Sequence, residues 1–337
     1  MMNGQKFPIA VLGAGSWGTA LAILLARNNN NTILWGRDKE QLQCMAHSRS
    51  NEKYLPGYIF PDALSIEANL EKLIAKCRDI LLVVPSHAFV PTLTMIKPYL
   101  QADSRICWAS KGLEPETGLF LSNSVSRELG SERSMAILSG PTFAKELAQN
   151  LPTACTLAGN NSAFLDDLIQ RFHNPRFRIY RTDDMIGVQL GGAVKNIIAV
   201  GAGMADGLGF GTNTVTALIT RGLVELTRLG TALGAKQETL YGLAGLGDLI
   251  LTSTDNQSRN RRFGLALGKG HSIEEAATQI GQVVEAVRNT KEVYALSQKL
   301  NIDMPIVHVI YQVLYEKLSP KQAAEQLLTR DLKLEGE

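Results

Sequence analysis

Residues 9–28 read IAVLGAGSWGTALAILLARN, and the fold turns on how this stretch is parsed. Its first four residues are apolar and fit a short buried strand, whereas SWGTALAILLARN fits a helix. Between them Gly13, Gly15 and Gly18 form a GxGxxG. Gly13 permits a tight turn, Gly15 lets a pyrophosphate approach the backbone, and Gly18 allows close helix packing. The amino end of the helix favours negative charge. Such a motif is weak alone and strong directly after a strand and at a helix start, so the stretch reads as a dinucleotide-binding turn. A P-loop is excluded, because no GxxxxGK[ST] is present and GLALGKG (264–270) lacks its spacing and hydroxyl.

Working outward, TILWG (32–36), ILLVVP (80–85), RICWAS (105–110) and MAILSG (135–140) repeat the short apolar pattern, with helix-like crossovers between them. Strands of that kind imply a parallel sheet covered on both faces. TACTLAG (153–159) and FRIYRTD (177–183) are candidates to extend it. Beyond about Asp184 strand-like runs vanish and long helical patterns such as TNTVTALITRGLVELTRLGTALG and MPIVHVIYQVLYEKL take over. The expected fold class is α/β: a Rossmann-like, mostly parallel sheet domain over 1–183, then an all-α substrate-binding domain over 184–337. The Gly-rich 201–211 segment is expected to be a bend or loop.

A chain of 337 residues, 45% hydrophobic, suits about two domains of ~150 residues each. Thirty-four basic against 32 acidic residues leave a formal charge of +2, so no global field argues for nucleic acid or an anionic membrane, and any anion site must be local. Cys44, Cys77, Cys107 and Cys155 form no CxxC pair and fit reduced packing residues. No stretch is expected to reach the ~18 apolar residues that cross a bilayer, the longest clean run being ILLVV (80–84). MMNGQKFPIAVLGAG runs into the first strand with no room for a presequence, so a cytoplasmic protein is expected.

GAVKNIIAVGAG (192–203) places a lysine in a small-residue, apolar helical run. A buried ammonium needs an anion, a polar cavity or an escape to water. Lys195 can hydrogen-bond a ketone oxygen, stabilise a developing alkoxide and donate a proton if its pKa is lowered. Its small neighbours are expected to leave room for substrate, and Asn196 offers an amide to orient it. None of the five histidines sits in a comparable constellation. In ASKGLEPETG (109–118), Lys111 follows the carboxyl end of a strand, where ligands of open parallel sheets bind. TDNQSRNRRFG (254–264) reads as a loop entering a helix capped by Ser258, with Arg259, Asn260, Arg261 and Arg262 forming an anion site. After the second strand Arg37 precedes Asp38, a guanidinium that suits a 2′-phosphate beside an acid that keeps NADH open. NADP or NAD is therefore the expected cofactor, with NADPH preferred.

These segments, with GAGSWGTALA, NEKYLPG, SGPTFAKE, GLAGLGDLILT, DNQSRNRRFG and GQVVEAVRNTKEV, together resemble bacterial NAD(P)-dependent glycerol-3-phosphate dehydrogenase over nearly the whole chain. The resemblance implies an oxidoreductase that reversibly reduces dihydroxyacetone phosphate to sn-glycerol 3-phosphate for phospholipid synthesis. It makes Lys195 the proton donor and acceptor. It makes Lys111, Gly140, Thr142, Lys195, Asp248, Ser258, Arg259 and Asn260 substrate contacts. For the cofactor it marks Ser16, Trp17, Arg37, Tyr54, Lys111, Ala144, Arg259, Val283 and Glu285, beside the motif glycines Gly13, Gly15 and Gly18. It implies no metal, and a homodimer. Another hydroxyacid dehydrogenase of the same plan, or a silent NADP-binding sensor, are the rival readings. The first has no need of a phosphate-gripping Arg259, and the second no reason to keep Lys195, Lys111, Asp248 and Arg259 together.

Overall fold

A computed structural model describes residues 7–331; the first six residues, within the stretch read above as leaving no room for a presequence, and the last six lie outside the described residues. The chain divides into two compact units, Met1–Ser110 with Leu121–Met185, and Lys111–Phe120 with Ile186–Glu337. The segment Lys111–Phe120 therefore groups with the helical unit, although it lies within the stretch assigned by sequence to the sheet domain.

Among the described residues the first unit holds ten strands: β1 (Ile9–Leu12), β2 (Thr32–Trp35), β3 (Ser50–Asn51), β4 (Leu55–Ile59), β5 (Leu64–Ile66), β6 (Asp79–Leu82), β7 (Arg105–Trp108), β8 (Met135–Ser139), β9 (Thr153–Gly159) and β10 (Phe177–Thr182). Eight form one sheet in the order β10-β9-β8-β7-β6-β1-β2-β5, while β3 and β4 make a separate antiparallel pair. All pairs in the large sheet are parallel except β8 with β9. The central strands β1, β2, β6 and β7 are buried at every position, as strands covered on both faces must be. Its helices are α1 (Ser16–Arg27), α2 (Lys39–Ser48), α3 (Leu70–Lys76), α4 (Ser86–Ile96), α5 (Leu121–Leu129), α6 (Ala144–Ala148) and α7 (Ser162–Phe172). Asp38, Asn69 and Asn161 cap α2, α3 and α7 by accepting a backbone N–H of the first turn.

The second unit is helical: α8 (Met185–Gly207), α9 (Thr212–Ala232), α10 (Gln237–Tyr241), α11 (Asp248–Thr254), α12 (Arg259–Gly268), α13 (Ile273–Ile280), α14 (Glu285–Lys299), α15 (Pro305–Tyr315) and α16 (Pro320–Leu328). A wider π-helical turn, Leu243–Gly247, leads into α11. The expected bend over 201–211 is found only at 208–211, where Gly209 takes φ +84°, and is corrected for the rest, because Gly201, Gly203 and Gly207 lie inside α8. They serve packing rather than turning. A Cβ on Gly203 would collide with the carbonyl oxygen of Arg261 and stand 2.7 Å from the Leu265 nitrogen, and one on Gly207 would strike Leu265. From the other side Gly264 and Gly268 of α12 meet the backbone of Val200 and Met204. The two helices thus touch backbone to backbone along four glycines.

The helix α8 also overturns the expectation that no stretch could span a bilayer. By length and composition it is apolar enough, with a mean hydropathy of 1.4. Lys195 and the glycines disguise the run. Eighty-nine per cent of the window is buried within the protein, which is the burial of a core helix. Glu225 of α9 is 3% exposed and accepts the Ile306 and Val307 amides at 2.6 and 3.1 Å. It caps α15 from a neighbouring helix, where the N-cap residue Met304 offers no side-chain bond.

Replacing Gly203 by Ala forces α8 and α12 apart. Overpacking of this kind costs about 1–3 kcal/mol, and the urea midpoint of Gly203→Ala is expected to fall accordingly with an unchanged slope. A midpoint equal to the parent's would show that the contact yields freely.

Candidate active site

In the first unit β1 runs into Gly13, held at φ +126°, where a Cβ would strike the Val83 carbonyl oxygen. A Cβ on Gly18 would strike Gly13 itself, whereas one on Gly15 would meet nothing within 4 Å. The loop is closed on the protein side and open at its middle glycine. Gly15 stands at the N-cap of α1 with no side-chain cap and no acid in the first turn, so the helix amides are left for an outside anion. Trp17 Nε1 is buried without a partner among the described residues. These features fit a dinucleotide. Ser16 Oγ donates to the Tyr54 carbonyl at 2.7 Å, tying the loop to the β3–β4 hairpin.

Arg37 is exposed and makes no hydrogen bond or ion pair among the described residues. Asp38 accepts the Gln41 amide at 3.0 Å and pairs with Lys53 at 3.4 Å. The Gln41 amide, then the Lys53 ammonium, hold its carboxyl below the usual range. Gly140, at φ +155°, follows β8, and Thr142 Oγ1 donates to its carbonyl at 3.4 Å. Ala144 opens the short α6.

In the second unit Lys195 sits at the middle of α8, 6% exposed, and its Nζ donates to Asp248 Oδ1 at 2.7 Å and to Thr252 Oγ1 at 2.8 Å. Lys111 Nζ donates to Asp248 Oδ2 at 2.6 Å. Asp248, fully buried, therefore carries one ammonium on each oxygen. Thr252 Oγ1 donates to Asp248 Oδ1 at 3.2 Å, which turns its lone pairs to Lys195. Burial lowers the Lys195 pKa to about 8, with Lys111 adding to the fall and Asp248 opposing it. Burial alone would raise the Asp248 carboxyl, but the two ammoniums outweigh it and hold the carboxyl below its ordinary value. An ammonium has three donors, and Lys195 uses two among the described residues. One N–H remains to meet a ligand.

The local packing explains the placement and corrects an expectation. Gly191 does not leave room for substrate beside Lys195, since a Cβ there would collide with the Ala244 carbonyl and stand 3.1 Å from Gly245 Cα. It admits the π-helical turn, and that turn delivers Asp248. Asn196 is buried too, donating to the Gly192 carbonyl at 3.3 Å and accepting from Asn260 Nδ2 at 2.8 Å. Asn260 Oδ1 in turn accepts the Ala286 amide at 3.3 Å.

The expected anion cluster is only partly gathered. Ser258 caps α12 by accepting the Arg261 amide, and Arg259 stands exposed at the helix start with NH1 donating to Gln282 at 3.0 Å. Arg261 turns inward instead, donating to the Ser253 carbonyl, Asp206 and Asn256. It is a structural guanidinium. Glu285 opens α14, and burial raises its carboxyl against the pull of Arg259, Lys195 and Lys111. Val283 is 44% exposed. Thr252 was missed by the sequence reading, although its place four residues after Asp248 puts both on one helix face.

A dinucleotide loop in one unit and a lysine–carboxylate–lysine cluster in the other define an NAD(P)-dependent dehydrogenase. Residues 8–165 match the N-terminal profile, and residues 184–325 the C-terminal profile, of NAD-dependent glycerol-3-phosphate dehydrogenase. The chain is 60% identical over 328 residues to glycerol-3-phosphate dehydrogenase [NAD(P)+] of Shewanella frigidimarina, covering 97% of each chain. It is 57% identical to that of Vibrio campbellii, over 99% of this chain and 97% of the other. A crystal structure of glycerol-3-phosphate dehydrogenase from Coxiella burnetii, 51% identical, superposes with a TM-score of 0.94 and covers 97% of this chain and 100% of its own. The chain belongs to the NAD-dependent glycerol-3-phosphate dehydrogenase family.

Asp248→Asn keeps the shape of the side chain and removes the charge between two ammoniums. Breaking a buried pair this way costs about 3–5 kcal/mol, which urea unfolding of the variant is expected to show. A loss under about 1 kcal/mol would mean that the lysines repack toward water.

Proposed function

We propose that Lys195 passes the proton in the reversible reduction of dihydroxyacetone phosphate to sn-glycerol 3-phosphate, the glycerol backbone of phospholipids. The observation that carries this role is the third N–H of a buried ammonium whose other two are fixed by Asp248 and Thr252. Bound NADPH or NADH supplies the hydride. The Lys195 ammonium hydrogen-bonds the C2 oxygen, stabilises its developing negative charge and transfers a proton to it, leaving a neutral amine that Asp248 and Thr252 keep in place. Lys111 and Asp248 leave the cluster with a net positive charge that favours an anionic substrate. Gly140, Thr142, Ser258, Arg259 and Asn260 are proposed to complete the substrate site, with Arg259 and Asn260 on the phosphate.

Gly13, Gly15, Ser16, Trp17 and Gly18 are proposed to hold the pyrophosphate half of the cofactor and Arg37 a 2′-phosphate. Tyr54, Lys111, Ala144, Arg259, Val283 and Glu285 are proposed as further cofactor contacts. Asp38 supports NADPH over NADH, because its carboxylate is already engaged by α2 and Lys53. Operation in the cytoplasm as a homodimer completes the proposal.

The deciding experiment follows NADPH oxidation on adding dihydroxyacetone phosphate, with unphosphorylated dihydroxyacetone alongside. Lys195→Met is expected to lose turnover by at least about 10³-fold while NADPH still binds. Near-normal turnover in that variant would sink the proton role. The pH dependence follows from the lowered pKa of about 8. Reduction requires the ammonium, so its kcat/KM falls as pH rises through that value, and oxidation of glycerol 3-phosphate requires the amine, so its kcat/KM rises. Profiles that move together would assign the titration elsewhere.

Arg37→Ala tests the cofactor reading. Losing a phosphate-binding guanidinium is expected to weaken NADPH by about tenfold or more and leave NADH within about twofold. Equal losses for both nucleotides would remove Arg37 from 2′-phosphate recognition.

A further inference from the structure

The glycine loop is gripped from outside its own motif by two side-chain amides. Asn51, 1% exposed on β3, donates through Nδ2 to the Ala14 carbonyl at 3.0 Å and to Thr19 Oγ1 at 2.8 Å. Gln41 of α2 donates through Nε2 to the same Ala14 carbonyl at 3.1 Å and to Asn51 Oδ1 at 3.2 Å. One carbonyl thus takes two amide donors, and those donors also bond each other. Ala14 is the residue between the first two glycines, and its peptide with Gly15 is trans, since there is no cis peptide bond among the described residues. In a planar trans peptide the C=O and the following N–H point in opposite directions. Clamping the Ala14 oxygen on one side therefore fixes the Gly15 N–H on the other. That amide finds no backbone acceptor among the described residues, and Gly15 borders open space.

We infer that Asn51, seconded by Gln41, is a positioning residue for cofactor binding: it locks the Ala14–Gly15 peptide so that the Gly15 amide meets the pyrophosphate. Without the lock this peptide is free to rotate, because glycine supports nearly every backbone conformation. Free rotation would have to be frozen at each binding event, and preorganisation removes that cost. The hairpin gains a function from the same geometry. It presents Asn51 from β3, and through the Tyr54 carbonyl it receives Ser16 Oγ, so it touches the loop on both sides of Gly15. Gln41 brings in α2, whose capping residue Asp38 stands next to Arg37. The segment that faces the adenosine end and the loop that faces the pyrophosphate are consequently tied by one hydrogen-bonded pair. Both the inference and the proposed function rest on dinucleotide binding by this loop, but the inference does not depend on the substrate.

The test titrates NADPH into the full-length protein without substrate, following the nucleotide's fluorescence, for the parent, Asn51→Leu and Gln41→Met. Leucine keeps the branched shape of asparagine, though bulkier, and lacks its donor and acceptor. Adenosine 2′-phosphate, which has the base and the 2′-phosphate but no pyrophosphate, is run as a competitor. Asn51→Leu is expected to raise the NADPH dissociation constant about tenfold and Gln41→Met about threefold, in line with the loss of one or two amide hydrogen bonds. Adenosine 2′-phosphate is expected to stay within about twofold in both, and KM for NADPH to rise while kcat at saturation holds. If Asn51→Leu does not fold, Gln41→Met at its half-buried position carries the same comparison. The inference is overturned if NADPH affinity in the folded variants stays within twofold of the parent, or if adenosine 2′-phosphate weakens as much as NADPH. Failure of the parent to bind NADPH would overturn it together with the cofactor assignment, whereas binding with inactive dihydroxyacetone phosphate would overturn only the substrate.

Discussion

One buried carboxylate holding two ammonium groups is the constraint on which the helical unit's polar cluster depends. Lys111 and Lys195 would repel each other at low dielectric, and a buried ammonium such as that of Lys195 is costly without a partner. Asp248 makes both tolerable by giving one oxygen to each. The arrangement leaves a surplus of positive charge, and burial, helped by Lys111 and opposed by Asp248, lowers the Lys195 pKa to about 8. Those two properties pull in the same direction. Both suit the proposed role, a proton held loosely enough to be given up beside a charge that favours an anionic substrate.

Bringing Asp248 to Lys195 is a backbone problem before it is an electrostatic one. The two residues are 53 apart in sequence, and their helices must approach closely enough for side chains of four and two carbons to meet. Gly191 admits the turn at Ala244, and the π-helical turn Leu243–Gly247 inserts the extra residue that sets the direction of Asp248. π-helical turns are rare and frequent at functional sites, and this one forms the entrance to α11, after the extended Gly242 that ends α10. Farther along α8, Gly203 and Gly207 bring α12 equally close, so that Asn260 reaches Asn196. The small-residue texture of the helix is the means of assembly of the cluster.

The sheet was legible because its strands are short, apolar and separated by helical patterns, and even β9 and β10 announced themselves. What stayed hidden had weak or ambiguous signals. β5 has only three residues, and β4 reads LPGYI, whose proline and glycine argue against a strand. Glycines are ambiguous by nature: in 13–18 they mark a turn and a ligand, whereas in 201–207 they mark helix contact. Only the preceding strand distinguishes the first case. Lys195 stood out as a charge among apolar residues, but Asp248 came only through the resemblance and Thr252 not at all, because spacing along a chain cannot show which distant group will face it. The run Arg259–Arg262 looked uniform in sequence, yet helical rotation separates an exposed Arg259 from a buried Arg261.

The two units solve the same physical problem with different materials. An outgoing N–H must be held at a fixed angle toward a ligand, without the protein consuming it. In the helical unit a side-chain ammonium is fixed by giving two of its three hydrogens to Asp248 and Thr252. In the sheet unit a peptide is fixed through its carbonyl, which two amides grip from behind. The first solution uses charge and is tunable by pH, as the proposed proton transfer requires. The second is neutral and works at any pH, which suits a group that binds and does not react. Each holds its donor by engaging the polar atoms beside it, so that the N–H left open is the one proposed to meet the ligand.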